Sequence, residues 1–201
     1  MISETKLLIF EIDAAASNAS ESWRSELLRR VTDLFIAIHE SLTDRQATIF
    51  EDVFARLIKY AEIPALIELS TRLTPLDDAP VKLVGQLARN DEIAISGPLL
   101  ENSNALTETA LIEIVTTMPQ NHLMAIAARR QISELLADSL IERGNTEVLQ
   151  KVVANRGSRI SELGFVKMIG LAKTDKVLAT AISTRTDMPP ELEPFLKLTL
   201  A

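Results

Sequence analysis

The sequence from Leu106 onward repeats a short motif at a nearly constant spacing. An apolar residue, a hydroxyl residue and a glutamate occur together three times, as Leu106-Thr107-Glu108, Ile132-Ser133-Glu134 and Ile160-Ser161-Glu162. The leading apolar residues are 26 and 28 residues apart. Met188 follows 28 residues after Ile160, with Pro189-Pro190-Glu191 in place of the hydroxyl residue. A period of about 27 residues indicates stacked copies of one small structural unit.

Each motif predicts the start of a helix, because a Ser or Thr side chain can accept from the free amides of the first turn. The glutamate then lies at the positive end of the helix dipole. A second short helix follows in each unit, in "NHLMAIAAR", "TEVLQKVVANR" and "TDKVLATAISTR". One pair of helices cannot bury its apolar face alone, so neighbouring pairs must stack. The sequence therefore predicts an all-α fold: an α-α superhelix, a solenoid of short helical pairs. At helix ends, Gly144 and Gly157 are expected to adopt left-handed backbone angles.

A different helical region precedes the repeats. Six of the eight aromatic residues precede residue 61, and a capping box at Thr43-Asp44-Arg45-Gln46 predicts the start of a helix that reaches about Tyr60. Apolar residues at helical spacing also predict helices over 3–17, over 22–40 and from Pro64 to about Leu73. The segment "TPLDDAP" at 74–80 is the clearest break. We expect an N-terminal helical region at 1–78 that packs on a repeat array at 79–201.

Several segments resemble a known family. The likeness is carried by "APVKLVGQLARNDEIAISGPLLENS", "HLMAIAARRQISELLADSLIERG" and "VLQKVVANRG", and it continues in "LTDRQATIFEDVFARLI" and "MPPELEPFL". Together they resemble an uncharacterised alphaproteobacterial family of helical domains with HEAT-like repeats. The resemblance implies an all-helical repeat fold and a bacterial, cytoplasmic setting, in signalling or scaffolding. It supplies no catalytic residues.

Composition and charge limit the classes of partner. The net charge is −7, with 8 basic and 14 acidic residues in 1–80 and with 13 and 14 in 81–201. This balance gives no electrostatic case for nucleic acid or anionic lipid. The chain has no cysteine, and no apolar run approaches the roughly 18–20 residues of a membrane span. We expect a cytoplasmic protein that binds other proteins, without nucleic acid, membrane or cofactor.

Arginine recurs at the end of each second helix and provides the main candidate site. Arg129, Arg156 and Arg185 are 27 and 29 residues apart, and Arg130, Arg143 and Arg159 lie nearby. One interpretation is a groove for an acidic peptide or a phosphorylated partner, because guanidinium groups bind carboxylates and phosphates with two parallel bonds. The other is structural, since cations stabilise helix C-termini and can pair with acids of the next unit, such as Glu147 and Asp175. The candidate partner-binding set is Arg129, Arg156, Arg185, Arg130 and Arg159.

The aromatic stripe of the N-terminal helices has two interpretations. Phe35, Phe50 and Phe54 belong either to the core of a helical bundle or to a self-association face that would form a homodimer. The second interpretation makes the chain an oligomerisation module.

An enzymatic role has little support in the sequence. Paired carboxylates such as Asp77-Asp78 point in different directions on a helix or lie in the expected linker. His39 and His122 lack partners at metal-binding spacing, so no metal site is expected. A helical-repeat enzyme acting on nucleic-acid bases remains as a remote alternative, although the repeats contain only Phe165 and Phe195 as aromatic residues. The sequence favours a non-catalytic protein-interaction scaffold or adaptor.

Overall fold

The computed structural model describes residues 20–200, in which twelve α-helices and two 3-10 turns occur. The predicted helix at 3–17 lies outside the described residues. The chain divides into two compact units, which in the described residues are 20–99 with 103–106, and 100–102 with 107–200. The all-α prediction, with helices packed in neighbouring pairs, is confirmed. No helix within residues 20–200 combines the length and the apolar character needed to cross a membrane.

The first unit contains the helices that precede residue 93 and most of the next one. They are α1 Glu21–Ile38, α2 Asp44–Leu57, α3 Ile63–Leu73, α4 Val81–Leu87 and the first turns of α5 Ile93–Asn102, with a 3-10 turn at His39–Ser41. The predicted capping box opens α2: the Thr43 side chain accepts from the Gln46 amide, and the Gln46 side chain accepts from the Thr43 amide. Helix α1 packs on α2 and α3, and α4 packs on the same two helices.

The packing of α4 explains where the division falls. Its buried residues Leu83, Val84 and Leu87 belong to the first unit, together with α2 and α3. The two compact units therefore separate in the last turn of α5, and the break at 74–80 lies inside the first unit.

Three phenylalanines form an aromatic cluster in the first unit. Phe35 packs edge-on against Phe50 and Phe54, with ring centroids 5.4 and 5.9 Å apart. Phe54 is fully buried and Phe35 is 2% exposed, while Phe50 is half-buried. Edge-to-face contacts at this spacing are favourable in a core. The rings of Phe35 and Phe54 are thus core side chains, so a self-association face would have to use other residues.

The second unit contains three helical pairs and a terminal helix. The pairs are α6 Glu108–Thr117 with α7 Gln120–Ala127, α8 Glu134–Arg143 with α9 Thr146–Ala154, and α10 Glu162–Ala172 with α11 Lys176–Ser183; a 3-10 turn at Pro190–Leu192 leads into α12 Glu193–Leu200. First helices contact first helices, from α6 to α8 to α10 to α12. Second helices contact second helices, from α7 to α9 to α11. Each pair therefore shields the apolar faces of its neighbours.

The predicted hydroxyl caps begin the first helix of each pair. Thr107 accepts from the Ala110 amide at 3.2 Å, Ser133 from the Leu136 amide at 3.2 Å, and Ser161 from the Gly164 amide at 2.9 Å. Two of these hydroxyls also donate to an acid of the preceding first helix: Ser133 to Glu108, and Ser161 to Asp138. One side chain thus caps its own helix and ties it to the previous pair.

The two glycines do not have the expected backbone angles. No glycine among residues 20–200 has a positive φ, and Gly144 is extended, with φ −69° and ψ 145°. The expectation of left-handed helix ends at Gly144 and Gly157 is therefore wrong. Glycine is required at 157 for space, because a Cβ there would lie 1.9 Å from the carbonyl oxygen of Arg130.

Candidate functional site

Most of the predicted arginines lie on loops that join one helical pair to the next. We call these loops, residues 128–133, 155–161 and 184–189, the arginine edge. The first two run side by side: the amide of Ile132 donates to Gly157 O at 3.0 Å, and the amide of Arg159 donates to Ile132 O at 2.9 Å. These bonds form a short parallel bridge between Ile132 and Ser158. The bridge, and the close approach at Gly157, fix the two loops to each other.

Arg185 is a structural residue of the arginine edge. Its side chain is 3% exposed. Nη1 donates to the carbonyls of Val153 and Asn155 at 3.0 and 2.9 Å, and Nη2 donates to Ser158 O at 2.7 Å. Nε and Nη2 also donate to the two carboxylate oxygens of Asp187, at 2.7 and 2.5 Å. A planar guanidinium can satisfy this many acceptors at once, which explains an arginine at a buried position.

The charge of Asp187 is stabilised by the same contact. Hydrogen bonds from Arg185 hold the pKa of the Asp187 carboxyl below its ordinary value, although partial burial acts in the opposite direction. The positive charges of Arg185 and Arg156 lower this pKa further. Asp187 is therefore ionised at neutral pH and balances the charge of Arg185.

Arg129 is also structural. Its Nη1 donates to the carbonyl of Leu100 at 2.7 Å, and burial lowers the pKa of its guanidinium below the ordinary value. This carbonyl belongs to the last turn of α5, whose C-terminal carbonyls have no partner within the helix. Arg143, at the end of α8, has the same role within the helical pairs: it donates to the carbonyls of Val115 and Met118 at the end of α6.

Arg129, Arg143 and Arg185 thus have structural roles, but their partners are not the expected acids of a neighbouring helical pair. They bind main-chain carbonyls at the ends of preceding helices, and Arg185 adds a carboxylate from its own loop. Asp175 instead caps α11 by accepting from the amides of Val177 and Leu178, and it accepts from Gln150 at 2.9 Å. Asp175 is therefore not an acid that pairs with the arginine edge.

Arg156, Arg159 and Arg130 are different, because their side chains are exposed. Arg156 makes one bond, from Nη1 to Thr184 O at 2.8 Å, which leaves most of its five N–H groups available. Within residues 20–200 the guanidinium of Arg159 has no hydrogen-bond or ion-pair partner. The sequence pattern grouped all five arginines, whereas the structure separates the half-buried Arg129 and the buried Arg185 from these exposed ones.

Arg156 and Arg159 line one groove of the arginine edge. This groove, which we call the polar groove, has a volume of about 460 Å³ and is also lined by Gln131, Ser133, Ser158 and Asp187. Arg130 does not line it. Since the single negative charge of Asp187 is balanced by Arg185, the two positive charges of Arg156 and Arg159 leave the groove with a net positive charge. The groove can therefore attract and hold a small anionic group.

Ser158 is a functional candidate that the sequence analysis missed. It is 2% exposed, and its Oγ is the one buried side-chain nitrogen or oxygen in residues 20–200 without a hydrogen-bond partner. A buried hydroxyl without a partner costs stability, so such a group calls for a specific explanation. The only signal in the sequence is the position of Gly157-Ser158 between two arginines, which does not by itself indicate burial.

The remaining candidates are not assembled into a reactive site. His122 is fully buried and its Nδ1 lies 2.9 Å from Asn121 Oδ1, while His39 Nδ1 lies 2.7 Å from Asp78 Oδ2 in the first unit. Across residues 20–200 no cluster of three or more His, Cys, Asp or Glu side chains has a metal-binding arrangement.

Comparison with known proteins gives one finding. Neither a curated protein nor a solved structure matches the chain. Residues 95–193, just under half of the chain, match the model of a family described as an uncharacterised protein conserved in bacteria, DUF2336. The matched part contains all three helical pairs and the polar groove. Over residues 95–193 the chain is therefore similar to an uncharacterised family conserved in bacteria, as the resemblance predicted, while the alphaproteobacterial origin and the HEAT-like repeats stay predictions.

Proposed function

We propose that the second unit is a HEAT-like helical-repeat module that acts as a non-catalytic scaffold or adaptor, and that it binds an acidic segment of a protein partner in the polar groove. The setting is the bacterial cytoplasm, and the process is signalling. One observation carries this proposal: Arg156 and Arg159 face the same groove with donor groups that the fold does not use.

The contrast within the arginine edge supports a binding role for these two residues. Arg185 makes five hydrogen bonds and contributes to the fold through each of them. The guanidinium of Arg159 makes none within residues 20–200, so the contribution of this side chain to folding is small. An arginine that adds little to stability but faces a groove in a fixed loop is suited to binding an external acid.

The rigidity of the groove also supports binding. The loops at 128–133 and 155–161 are fixed by the bridge between Ile132 and Ser158, and Arg185 donates to the carbonyl of Ser158. A preformed site loses little conformational entropy when a ligand binds. The groove can therefore bind a short acidic segment without a change of fold.

The test is partner capture with matched charge reversals. The whole chain is immobilised, and proteins from an extract of the source bacterium are captured and identified by mass spectrometry. We expect one or more partners that are retained by the wild type and by Arg130→Glu, and lost with Arg156→Glu/Arg159→Glu. Arg130 is the control because it is also exposed, lies on the same edge and does not line the groove.

Circular dichroism must show that each variant is folded. A partner that is lost equally with Arg130→Glu would contradict the assignment to the polar groove. The absence of any partner that depends on Arg156 and Arg159 would contradict the proposed function.

A further inference from the structure

We propose that the polar groove recognises a phosphorylated side chain, a phosphoserine or phosphothreonine of the partner, in preference to a carboxylate. This inference rests on the proposed function and specifies its ligand. It depends on the number of charges and donors that the groove offers, and on the buried hydroxyl of Ser158.

The charge of the groove matches a phosphate monoester. Arg156 and Arg159 supply two positive charges, and the carboxylate of Asp187 is already neutralised by Arg185. A phosphorylated side chain carries about −1.5 to −2 charges at pH 7, so it neutralises both arginines. A glutamate or aspartate carries one charge and leaves one guanidinium uncompensated.

The donors of the groove also match a phosphoryl group. Arg156 and Arg159 each present N–H groups, and Ser158 adds an O–H that has no acceptor within the described chain. A phosphoryl group has three terminal oxygens, one for each of these residues, whereas a carboxylate has two. Each of the three donor residues thus has a phosphoryl oxygen of its own, whereas on a carboxylate at least two of them would share an oxygen.

The environment of Ser158 explains how its hydroxyl is available. Its amide donates to Asn155 O at 3.1 Å and its carbonyl accepts from Arg185, so the main chain is fixed while the hydroxyl has no partner. In the proposed complex the side chain rotates about its Cα–Cβ bond, so that the hydroxyl reaches the group bound in the groove. Binding then gives the Oγ the partner that it lacks, which removes the cost of a buried hydroxyl without one.

A phosphorylated protein fits better than nucleic acid. A polyanion needs a continuous basic surface that contacts several phosphates. The polar groove has two uncompensated arginines beside the carboxylate of Asp187, in a chain of net charge −7. This local site has the charge to hold one phosphate and offers no continuous basic surface to the neighbouring phosphates of a strand.

The first experiment measures affinity with defined probes. A capped peptide of five residues, with alanine around a central phosphoserine, is titrated into the ¹⁵N-labelled whole chain. The same peptide with glutamate, and a short single-stranded oligonucleotide, serve as comparisons. We expect the phosphoserine peptide to shift the amide resonances of 156–159, and to bind about tenfold more tightly than the glutamate peptide, as expected for a second charge-assisted contact.

Variants assign the binding to the named residues. Arg156→Gln and Arg159→Gln each weaken the phosphoserine peptide by about tenfold, because each removes one charge-assisted contact. Ser158→Ala weakens it by about fivefold, as expected for the loss of one hydrogen bond, and leaves the glutamate peptide unchanged. Arg130→Gln, the matched control outside the groove, stays within about twofold of the wild type.

The outcomes separate this inference from the proposed function. Equal affinity for the phosphoserine and glutamate peptides, tighter binding of the oligonucleotide, or no shift at 156–159 overturns the inference. In partner capture, treating the extract with phosphatase must abolish the binding that depends on Arg156 and Arg159. If this binding survives phosphatase, the inference fails and the proposed function stands; if no such binding exists before treatment, both fail.

Discussion

Replacement of Arg185 by alanine tests whether the arginine edge is built as the structure indicates. The substitution removes the donors for the carbonyls of Val153, Asn155 and Ser158, and it leaves the carboxylate of Asp187 without its partner. Removing one member of a buried ion pair costs about 3–5 kcal/mol, mainly because polar groups remain without partners. Each unsatisfied buried carbonyl costs about 1–3 kcal/mol.

These contributions do not add in full. The side chain of Asp187 is 47% exposed, so water can replace part of what Arg185 provides. The guanidinium also lies 6.0 Å from the ring centre of Phe165, a cation–π contact worth at most about 1 kcal/mol at this distance. We therefore expect Arg185→Ala to lower the free energy of unfolding by about 3–5 kcal/mol.

The measurement is urea unfolding of the whole chain, followed by circular dichroism at 222 nm. Arg156→Ala is the matched control, because Arg156 follows the second helix of the preceding pair as Arg185 follows α11. In contrast to Arg185, it is exposed and its side chain makes one bond, to Thr184 O. This control should cost at most about 1 kcal/mol. If the two variants lose similar stability, or if Arg185→Ala loses less than about 1 kcal/mol, the distinction between buried and exposed arginines is refuted.

Three further predictions concern the same edge. Gly157→Ala should cost about 1–3 kcal/mol in urea unfolding, because the new Cβ meets a main-chain oxygen of the facing loop, whereas Gly170→Ala, with open space at its Cβ, should gain about 0.5–1 kcal/mol as an ordinary helix substitution. Ser158→Ala should leave the free energy of unfolding unchanged or raise it by up to about 1 kcal/mol, because it removes a buried hydroxyl without a partner; a clear loss would show that the hydroxyl is already bonded. Since the folded pKa of Asp187 is depressed, its ionised form stabilises the fold above the unfolded pKa of about 3.9, and this contribution is lost as the pH falls through the folded pKa. The stability cost of Asp187→Asn should thus be largest near pH 7 and decrease below about pH 4; a cost independent of pH would contradict this coupling.

The helical pairs could be predicted because their signals are local. Thr107, Ser133 and Ser161 cap helices through contacts with residues three positions ahead, and this spacing is visible in the sequence. The stacking of pairs follows from apolar faces that one pair cannot bury. The sequence does not show the second bond of the Ser133 and Ser161 hydroxyls, because the acids that accept these bonds lie 25 and 23 residues away.

The break at 74–80 shows that a local sequence signal can mark a connection without marking the boundary between the compact units. Its prolines and aspartates indicate a connection, but the side chains that follow it decide which unit the next helix joins. Leu83, Val84 and Leu87 pack with the helices before the break. Helix α4 therefore belongs to the first compact unit, a consequence of packing that periodicity alone does not show.

The polar groove could be predicted only in part, because equal spacing of the arginines does not give them equal roles. Just after α11, Arg185 binds the carbonyls of Val153 and Asn155, at the end of the preceding helical pair. One helical pair earlier, the side chain of Asn155 binds the carbonyls of Ala127 and Arg129. These two carbonyls lie 26 residues before those of Val153 and Asn155. Asn155 thus binds the carbonyls at the end of the first helical pair, as Arg185 binds those at the end of the second pair.

This exchange explains why the groove lies where it does. Because Asn155 already satisfies the preceding helix end, Arg156 is not needed there, and its side chain points forward to Thr184 and into the groove. The same asparagine accepts from the amide of Gly157, which holds the turn that brings Ser158 beside the facing loop. Where an asparagine takes over this structural role, the charge of the neighbouring Arg156 is left available, and the same asparagine shapes the loop that presents it. The proposed binding site therefore lies where the repeat departs from its own pattern.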